Sequence, residues 1–183
     1  MNFTLVNLLL FKLGWVAAVF SAAHGQAWIG ALTILAIAAI NLAKAERPRR
    51  ELRLFTAAAL VGLVWESVLV NQGILIYAEA NGALVAPYWI VGMWILFATT
   101  LNVGMRWMKK SWVLPVLFGG IGGPLSFLAG EKIGAVVFPD HWIAIAVISA
   151  GWALLLPALM RVADFFNGHV PTPLEPALQG GQS

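Results

Sequence analysis

Apolar residues along this chain fall into six long blocks separated by short polar segments. An α-helix rises about 1.5 Å per residue, so about 20 apolar residues cross a hydrocarbon core roughly 30 Å thick. The pattern therefore predicts an all-α, polytopic membrane bundle of six transmembrane helices. The predicted spans are residues 3–22, 28–43, 54–77, 88–108, 112–137 and 142–163. Residues 1–163 are expected to form one domain, and residues 164–183, rich in Pro, Gly and Gln, a disordered cytoplasmic tail.

Charged side chains mark one set of loops. The basic loop residues are Lys44, Arg47, Arg49, Arg50, Arg53, Arg106, Lys109 and Lys110, with Arg161 closing the sixth span. The opposite loops, residues 24–27, 78–87 and 138–141, contain no Lys or Arg. Because basic loops stay in the cytoplasm, the sequence predicts a multi-pass protein of a bacterial inner membrane with both termini cytoplasmic. Pro48 and the two nearby glutamates predict a short exposed turn within the longest basic loop.

The composition narrows the possible chemistry. Of 183 residues, 61% are hydrophobic and 10% are charged, whereas soluble domains carry about 25% charged residues. The absence of cysteine excludes disulfides and thiolate metal sites, and the three histidines fall in outer loops or the tail. We therefore expect no metal and no cofactor. No phosphate-binding loop, dinucleotide fingerprint or Gly-x-Ser-x-Gly motif occurs, so no residue is assigned a catalytic role and an enzyme is not the favoured interpretation.

Four ionisable residues interrupt the predicted spans: Lys12, Glu66, Glu131 and Lys132. A charge at the centre of a bilayer costs at least about 2.5–3.5 kcal/mol, so such groups are usually paired or functional. Lys12 lies midway along the first span and Glu66 midway along the third, which predicts a contact between them, direct or through water. The pair is either an ion pair that fixes helix packing or a polar centre that binds a headgroup or relays protons. Lys12 also argues against a cleaved signal peptide, because it interrupts the first apolar run.

The fifth span is rich in glycine and carries one proline. Helical spacing places Gly120, Gly123, Pro124 and Glu131 on one face. This stripe indicates either a kinked, tightly packed helix or a helix broken near Pro124, whose half-helix would present its amino-terminal N–H groups to a ligand in mid-membrane. Asn102 adds a polar position on the fourth span. The candidate substrate-binding residues are Lys12, Glu66, Asn102, Gly120, Gly123, Pro124 and Glu131.

Two segments carry a family resemblance: residues 87–101, PYWIVGMWILFATTL, and residues 119–135, GGIGGPLSFLAGEKIGA. Together they resemble a family of small proteobacterial inner-membrane proteins with a domain of unknown function. The resemblance extends more weakly over residues 1–163 and includes Trp65 and Glu66. It implies, at most, a link to envelope lipids, because genes of this family often lie near lipid-modifying enzymes such as cyclopropane fatty acid synthases. It transfers no catalytic residue.

Three functions are consistent with these features. The first is a protein that binds an envelope lipid or other amphipath, or assists its modification, through a polar centre around Lys12 and Glu66. The second is a small oligomeric transporter or permease with the third and fifth spans along its path. The third is a non-catalytic scaffold of a membrane enzyme complex. The expected partners are membrane lipids, with a homo-oligomer or a membrane enzyme also possible, and no nucleic acid.

Overall fold

The computed structural model describes residues 3–80 and 82–169, and within them six α-helices and one small sheet. The helices are α1 (Phe3–Ala23), α2 (Ala27–Lys44), α3 (Pro48–Asn71), α4 (Tyr88–Leu101), α5 (Val113–Ile133) and α6 (His141–Phe165). The strands β1 (Ile76–Tyr77) and β2 (Val136–Val137) pair antiparallel, Ile76 opposite Val137 and Tyr77 opposite Val136. A short 3-10 helix, Arg106–Lys110, joins α4 to α5. The fold class predicted from the hydrophobic pattern, an all-α bundle of six helices, is confirmed.

Five of the six helices are long and apolar enough to cross a membrane. The exception in the described chain is α4, which has 14 residues, because the fourth predicted span ends in turns and the 3-10 helix. The outward surface of the long helices is apolar, as expected of a protein that faces hydrocarbon. Representative exposed side chains are Leu13 (59%), Leu35 (58%), Val64 (65%), Ile121 (60%) and Leu154 (75%).

The third helix lies six residues earlier in the chain than predicted. Pro48 occupies the first turn, where its missing N–H costs nothing, and Glu51 follows in the same turn. The helix ends at Asn71, and Gly73 adopts a left-handed φ of 65° that turns the chain toward β1. The exposed turn predicted around Pro48 is present at residues 45–47, where Glu46 is exposed, but Glu51 is not part of it, since Glu51 is helical and completely buried. The shift also places Glu66 five residues from the end of α3 rather than at its middle.

The fifth helix is continuous. Pro124 lies inside α5 without ending it, so of the two interpretations of the glycine stripe the broken helix is excluded and an unbroken helix is formed. Local packing explains the glycines instead, because a Cβ at Gly119 would lie 2.0 Å from the Trp152 carbonyl oxygen of α6. The glycines therefore bring the backbones of α5 and α6 together, as small residues do in membrane helices. Gly134, with a left-handed φ of 94°, terminates the helix.

The two ends of the bundle differ in chemistry. At the end that we call the sheet end, β1 and β2 pair and the backbone N–H of Ala27 donates to Glu79 Oε1 at 3.1 Å. The basic end carries the α2–α3 turn and the 3-10 helix. Phe3 and His169, the outermost described residues, also meet at the basic end, with their rings 6.0 Å apart. Both ends of the described chain thus lie on one side of the bundle, while its orientation in the membrane stays a prediction.

The first residues of the tail predicted for residues 164–183 belong to the folded chain. Helix α6 continues through Phe165, and the backbone N–H of Arg47 donates to the carbonyl of Gly168 at 2.9 Å. Residues 170–183 lie outside the described chain.

Replacing one α5 glycine by alanine should separate packing from helix propensity. We expect Gly119→Ala to lower the free energy of unfolding by about 1–3 kcal/mol, because the new methyl meets the α6 backbone. The matched control is Gly122→Ala, where a Cβ meets nothing within 4 Å. That control should be neutral or stabilising, because alanine favours the helix by about 1 kcal/mol. Thermal and denaturant unfolding in detergent measures both, and equal stability of the two variants would contradict the close α5–α6 contact.

Candidate functional site

A cavity of about 910 Å³ lies between α1 and α5 and is backed by α4 and α6. Its walls are mainly apolar and aromatic. The aromatic lining consists of Phe11, Trp15, Tyr77, Trp89, Trp94, Phe97, Phe118, Phe127 and Trp152. Two ionisable residues of the predicted polar centre, Lys12 and Glu66, also line it. Ligand-binding pockets typically have this character: an apolar cavity with a few placed polar groups.

The cavity is elongated along the bundle. Its α5 lining extends from Phe118 to Gly130, which corresponds to about 18 Å at the helical rise of about 1.5 Å per residue. On α1 the lining includes the exposed residues Lys12 and Val16, and on α5 it includes the exposed Leu125. These exposed rim residues place the opening on the outward surface of two helices that are long and apolar enough to span a membrane. One hydrogen bond, from Trp15 Nε1 to Ser126 Oγ at 2.9 Å, crosses from α1 to α5 beside it.

Glu66 is the buried polar group of the cavity, with no exposed surface. Its Oε1 accepts a hydrogen bond from Trp94 Nε1 at 3.0 Å, and its Oε2 accepts one from the Tyr77 hydroxyl at 2.5 Å. Gly62, one turn earlier on α3, makes room for the Trp94 ring, because a Cβ there would lie 2.2 Å from it. The carboxylate therefore connects α3 with α4 and with β1.

Tyr77 brings the sheet end of the fold to the cavity. Burial raises the pKa of the Tyr77 hydroxyl, and the neighbouring charge of Glu66 raises it further. The hydroxyl therefore keeps its proton and donates it to the carboxylate. Tyr77 also packs edge to face on Trp89, with ring centroids 5.6 Å apart. The strand pair closes the cavity at this end.

The predicted direct contact between Lys12 and Glu66 is wrong. Both oxygens of Glu66 are bound by Tyr77 and Trp94, and Lys12 makes no ion pair or hydrogen bond within the part of the chain that the structure describes. The physical reason is the position of α3: Glu66 lies near the sheet end, whereas Lys12 is midway along α1. The two residues do line the same cavity, and a link through water stays a prediction.

The remaining candidate residues are divided between the cavity and other parts of the bundle. Gly123 lines the cavity. Gly120 lies on the α6 side of α5, where its carbonyl accepts from Ser149 Oγ at 2.8 Å. Pro124 is buried within the continuous helix, and Glu131 Oε2 lies 3.5 Å from His141 Nδ1 at the α5–α6 turn. These three positions are outside the cavity lining, so the single site predicted on one α5 face is not assembled there.

Asn102 belongs to a second polar cluster, at the basic end. Its side-chain N–H donates to Glu51 Oε1 at 2.7 Å, and its Oδ1 accepts from Lys109 Nζ at 2.6 Å. Lys109 also pairs with Asp164 Oδ1 at 2.8 Å, and the backbone N–H of Gly168 donates to Glu51 Oε1 at 2.8 Å. This cluster joins α3, the α4–α5 connection and the end of α6, so Asn102 has a structural role.

Sequence reasoning missed three of these functional and structural residues. Tyr77 was placed at the end of a helix, although Gly73 ahead of it is a usable turn signal. Nothing in the sequence context of Trp94 indicates that its N–H reaches Glu66. Glu51 was placed in an exposed turn, although a proline three residues before it is typical of a helix start.

The chain matches, over residues 4–158, the family described as "Protein of unknown function (DUF2878)". No curated protein and no solved structure matches the chain.

Removal of the Tyr77 hydroxyl should show how much its hydrogen bond to Glu66 contributes to the free energy of unfolding. We expect Tyr77→Phe to lower the free energy of unfolding by about 1–3 kcal/mol, because it leaves a buried carboxylate oxygen without its donor. The control is Tyr88→Phe at the other tyrosine of the chain, which is 56% exposed and should change stability by less than about 0.5 kcal/mol. Denaturant unfolding in detergent compares them, and similar values for both would show that the bond contributes nothing.

A parallel pair of variants tests the basic-end cluster. Lys109→Met should destabilise the protein by about 1–3 kcal/mol, since Asn102 Oδ1 then loses a charged donor in a buried setting. Lys110→Met, the neighbouring exposed lysine, serves as the control and should be close to neutral. The cluster would have no stabilising role if Lys109→Met unfolded at the same denaturant concentration as Lys110→Met.

Proposed function

The chain belongs to the DUF2878 family, and on that premise we propose that it binds a long-chain amphipath of the membrane in the cavity between α1 and α5. The observation that carries this proposal is the shape and position of the cavity. It is elongated, apolar and aromatic, and its rim consists of exposed residues on two membrane-length helices. A hydrocarbon chain can enter such a cavity from the bilayer without crossing an aqueous surface.

The dimensions support a chain-like ligand. The cavity extends about 18 Å along α5. This is slightly more than the thickness of one leaflet, which is half of a hydrocarbon core roughly 30 Å thick. Its volume of about 910 Å³ lies within the range of about 300–1,000 Å³ that is usual for small-molecule sites. The cavity is therefore long and wide enough for an acyl-like chain.

The ends of the cavity favour binding over passage through the protein. At the sheet end, the residues of the β1–β2 pair, Tyr77 and Val136, form part of its lining. At the basic end, Met105 and Met108 do the same, and Met108 is 1% exposed. A transporter needs a path that reaches water on each side, whereas these contacts favour an opening toward lipid. The inner-membrane location, with both termini cytoplasmic, is part of this proposal and rests on the distribution of basic loops.

Filling the cavity should abolish ligand retention. Gly122 lines the cavity and a Cβ there meets nothing within 4 Å, so Gly122→Phe places a ring in the opening without a backbone clash. Ile121→Phe is the matched control, since Ile121 is 60% exposed on the neighbouring outward face. Native mass spectrometry of protein purified from membranes should show a bound amphipath with the wild type and Ile121→Phe.

We expect the fraction of protein with a bound amphipath to be at least tenfold lower in Gly122→Phe than in the wild type. The reason is that the added ring occupies volume that the chain would fill. Equal unfolding temperatures of the three proteins would establish that the loss is not caused by misfolding. Retention of the same bound molecules by Gly122→Phe and the wild type would contradict the proposal.

A further inference from the structure

We propose that the amphipath bound between α1 and α5 carries a carboxylate, and that the Lys12 ammonium group binds this carboxylate midway across the membrane. This inference rests on the proposed function, because it assigns the polar end of the ligand that the cavity holds. It makes Lys12 a determinant of specificity, whereas the walls of the cavity determine only that the ligand is a chain.

The position of Lys12 is the first observation. It lies midway along α1, its side chain is exposed, and it lines the rim of the cavity. A cation at this depth is costly in hydrocarbon unless an opposite charge or water meets it. Among residues 3–80 and 82–169, Lys12 makes no hydrogen bond or ion pair. The described residues supply no counter-charge to Lys12, and a ligand in the cavity beside it can supply one.

The arrangement around Glu66 is the second observation. Glu66 is the acidic residue in the lining, but its two oxygens accept from Tyr77 and Trp94, and it lies five residues from the end of α3. The protein thus satisfies its own carboxylate with neutral donors and leaves the cation at the rim unmatched. Glu66 is therefore closed by the protein, whereas Lys12 is open to a ligand.

The number of charges favours a monoanionic head group, such as a carboxylate, over a dianion. One ammonium group balances one carboxylate, whereas a phosphate monoester carries a charge of about −1.5 to −2 at neutral pH. In a medium of low dielectric constant the unbalanced part of that charge is strongly unfavourable. The apolar and aromatic walls of the cavity suit the hydrocarbon chain of such an acid. A long-chain carboxylic acid therefore matches both the lysine and the cavity.

Probes that share one chain length but differ in their head groups separate the effect of the charge on binding from the effect of the chain. Palmitic acid, hexadecanol and a palmitoyl lysophosphatidylglycerol are compared for binding to the purified full-length protein in detergent at one neutral pH. The variants are Lys12→Gln, which removes the charge, Lys12→Arg, which retains it, and Gly122→Phe, which fills the cavity. We expect palmitic acid to bind at least tenfold more tightly than hexadecanol to the wild type and to Lys12→Arg, as a charge-assisted hydrogen bond predicts.

The expected result for Lys12→Gln is that palmitic acid and hexadecanol bind with similar affinity, while its unfolding temperature is not lowered. Equal binding of acid and alcohol to the wild type, with both lost in Gly122→Phe, would overturn the carboxylate assignment and leave the chain site intact. Tighter binding of the lysophospholipid than of palmitic acid would overturn it in favour of a phosphodiester. Binding of all three probes that Gly122→Phe does not reduce would overturn the cavity site itself.

Discussion

A polar side chain that folds into an apolar bundle must find its partner within the protein or in a ligand, because hydrocarbon offers no hydrogen bonds. This constraint organises the structure. Glu66 is bound by Tyr77 and Trp94, and Glu51 by Asn102 and the Gly168 backbone. Each of these bonds joins separate parts of the chain, so the contacts to both oxygens of Glu66 and to Glu51 Oε1 also hold the helices together.

The two carboxylates stabilise opposite ends of the molecule. The bonds of Glu66 attach the sheet end to α3 and α4, which closes one end of the cavity. The bonds of Glu51 attach the last described residues to the start of α3 and to the α4–α5 connection. Between these two closed ends, α1 and α5 are joined by few side chains, with the Trp15–Ser126 hydrogen bond among them. The cavity lies where the bundle is least filled, and its exposed rim includes Lys12.

The hydrophobic pattern was sufficient for the architecture because burial in a membrane depends on long apolar runs. The ends of α1, α2 and α6 lie within two residues of their predicted positions, and the start of α4 coincides with its prediction. The third helix was displaced because hydropathy treats Leu75 and Tyr77 as part of a span and the arginines after Pro48 as a loop. That displacement alone produced the wrong pairing of Lys12 with Glu66. The partners of Glu66 are separated from it by 11 and 28 residues, and only the folded chain brings them together. The glycine stripe was interpreted as a possible ligand site, but most of it serves the contact between α5 and α6.

Photo-crosslinking of the protein in lipid vesicles with a diazirine-bearing palmitic acid tests the central claim, that a chain occupies the α1–α5 cavity. The account predicts that labelled peptides map to the lining positions of α1 and α5, around Val16 and Ser126, and that unlabelled palmitic acid competes for them. Labels spread evenly over the exposed outer faces, such as that of Leu154 on α6, without competition, would contradict it.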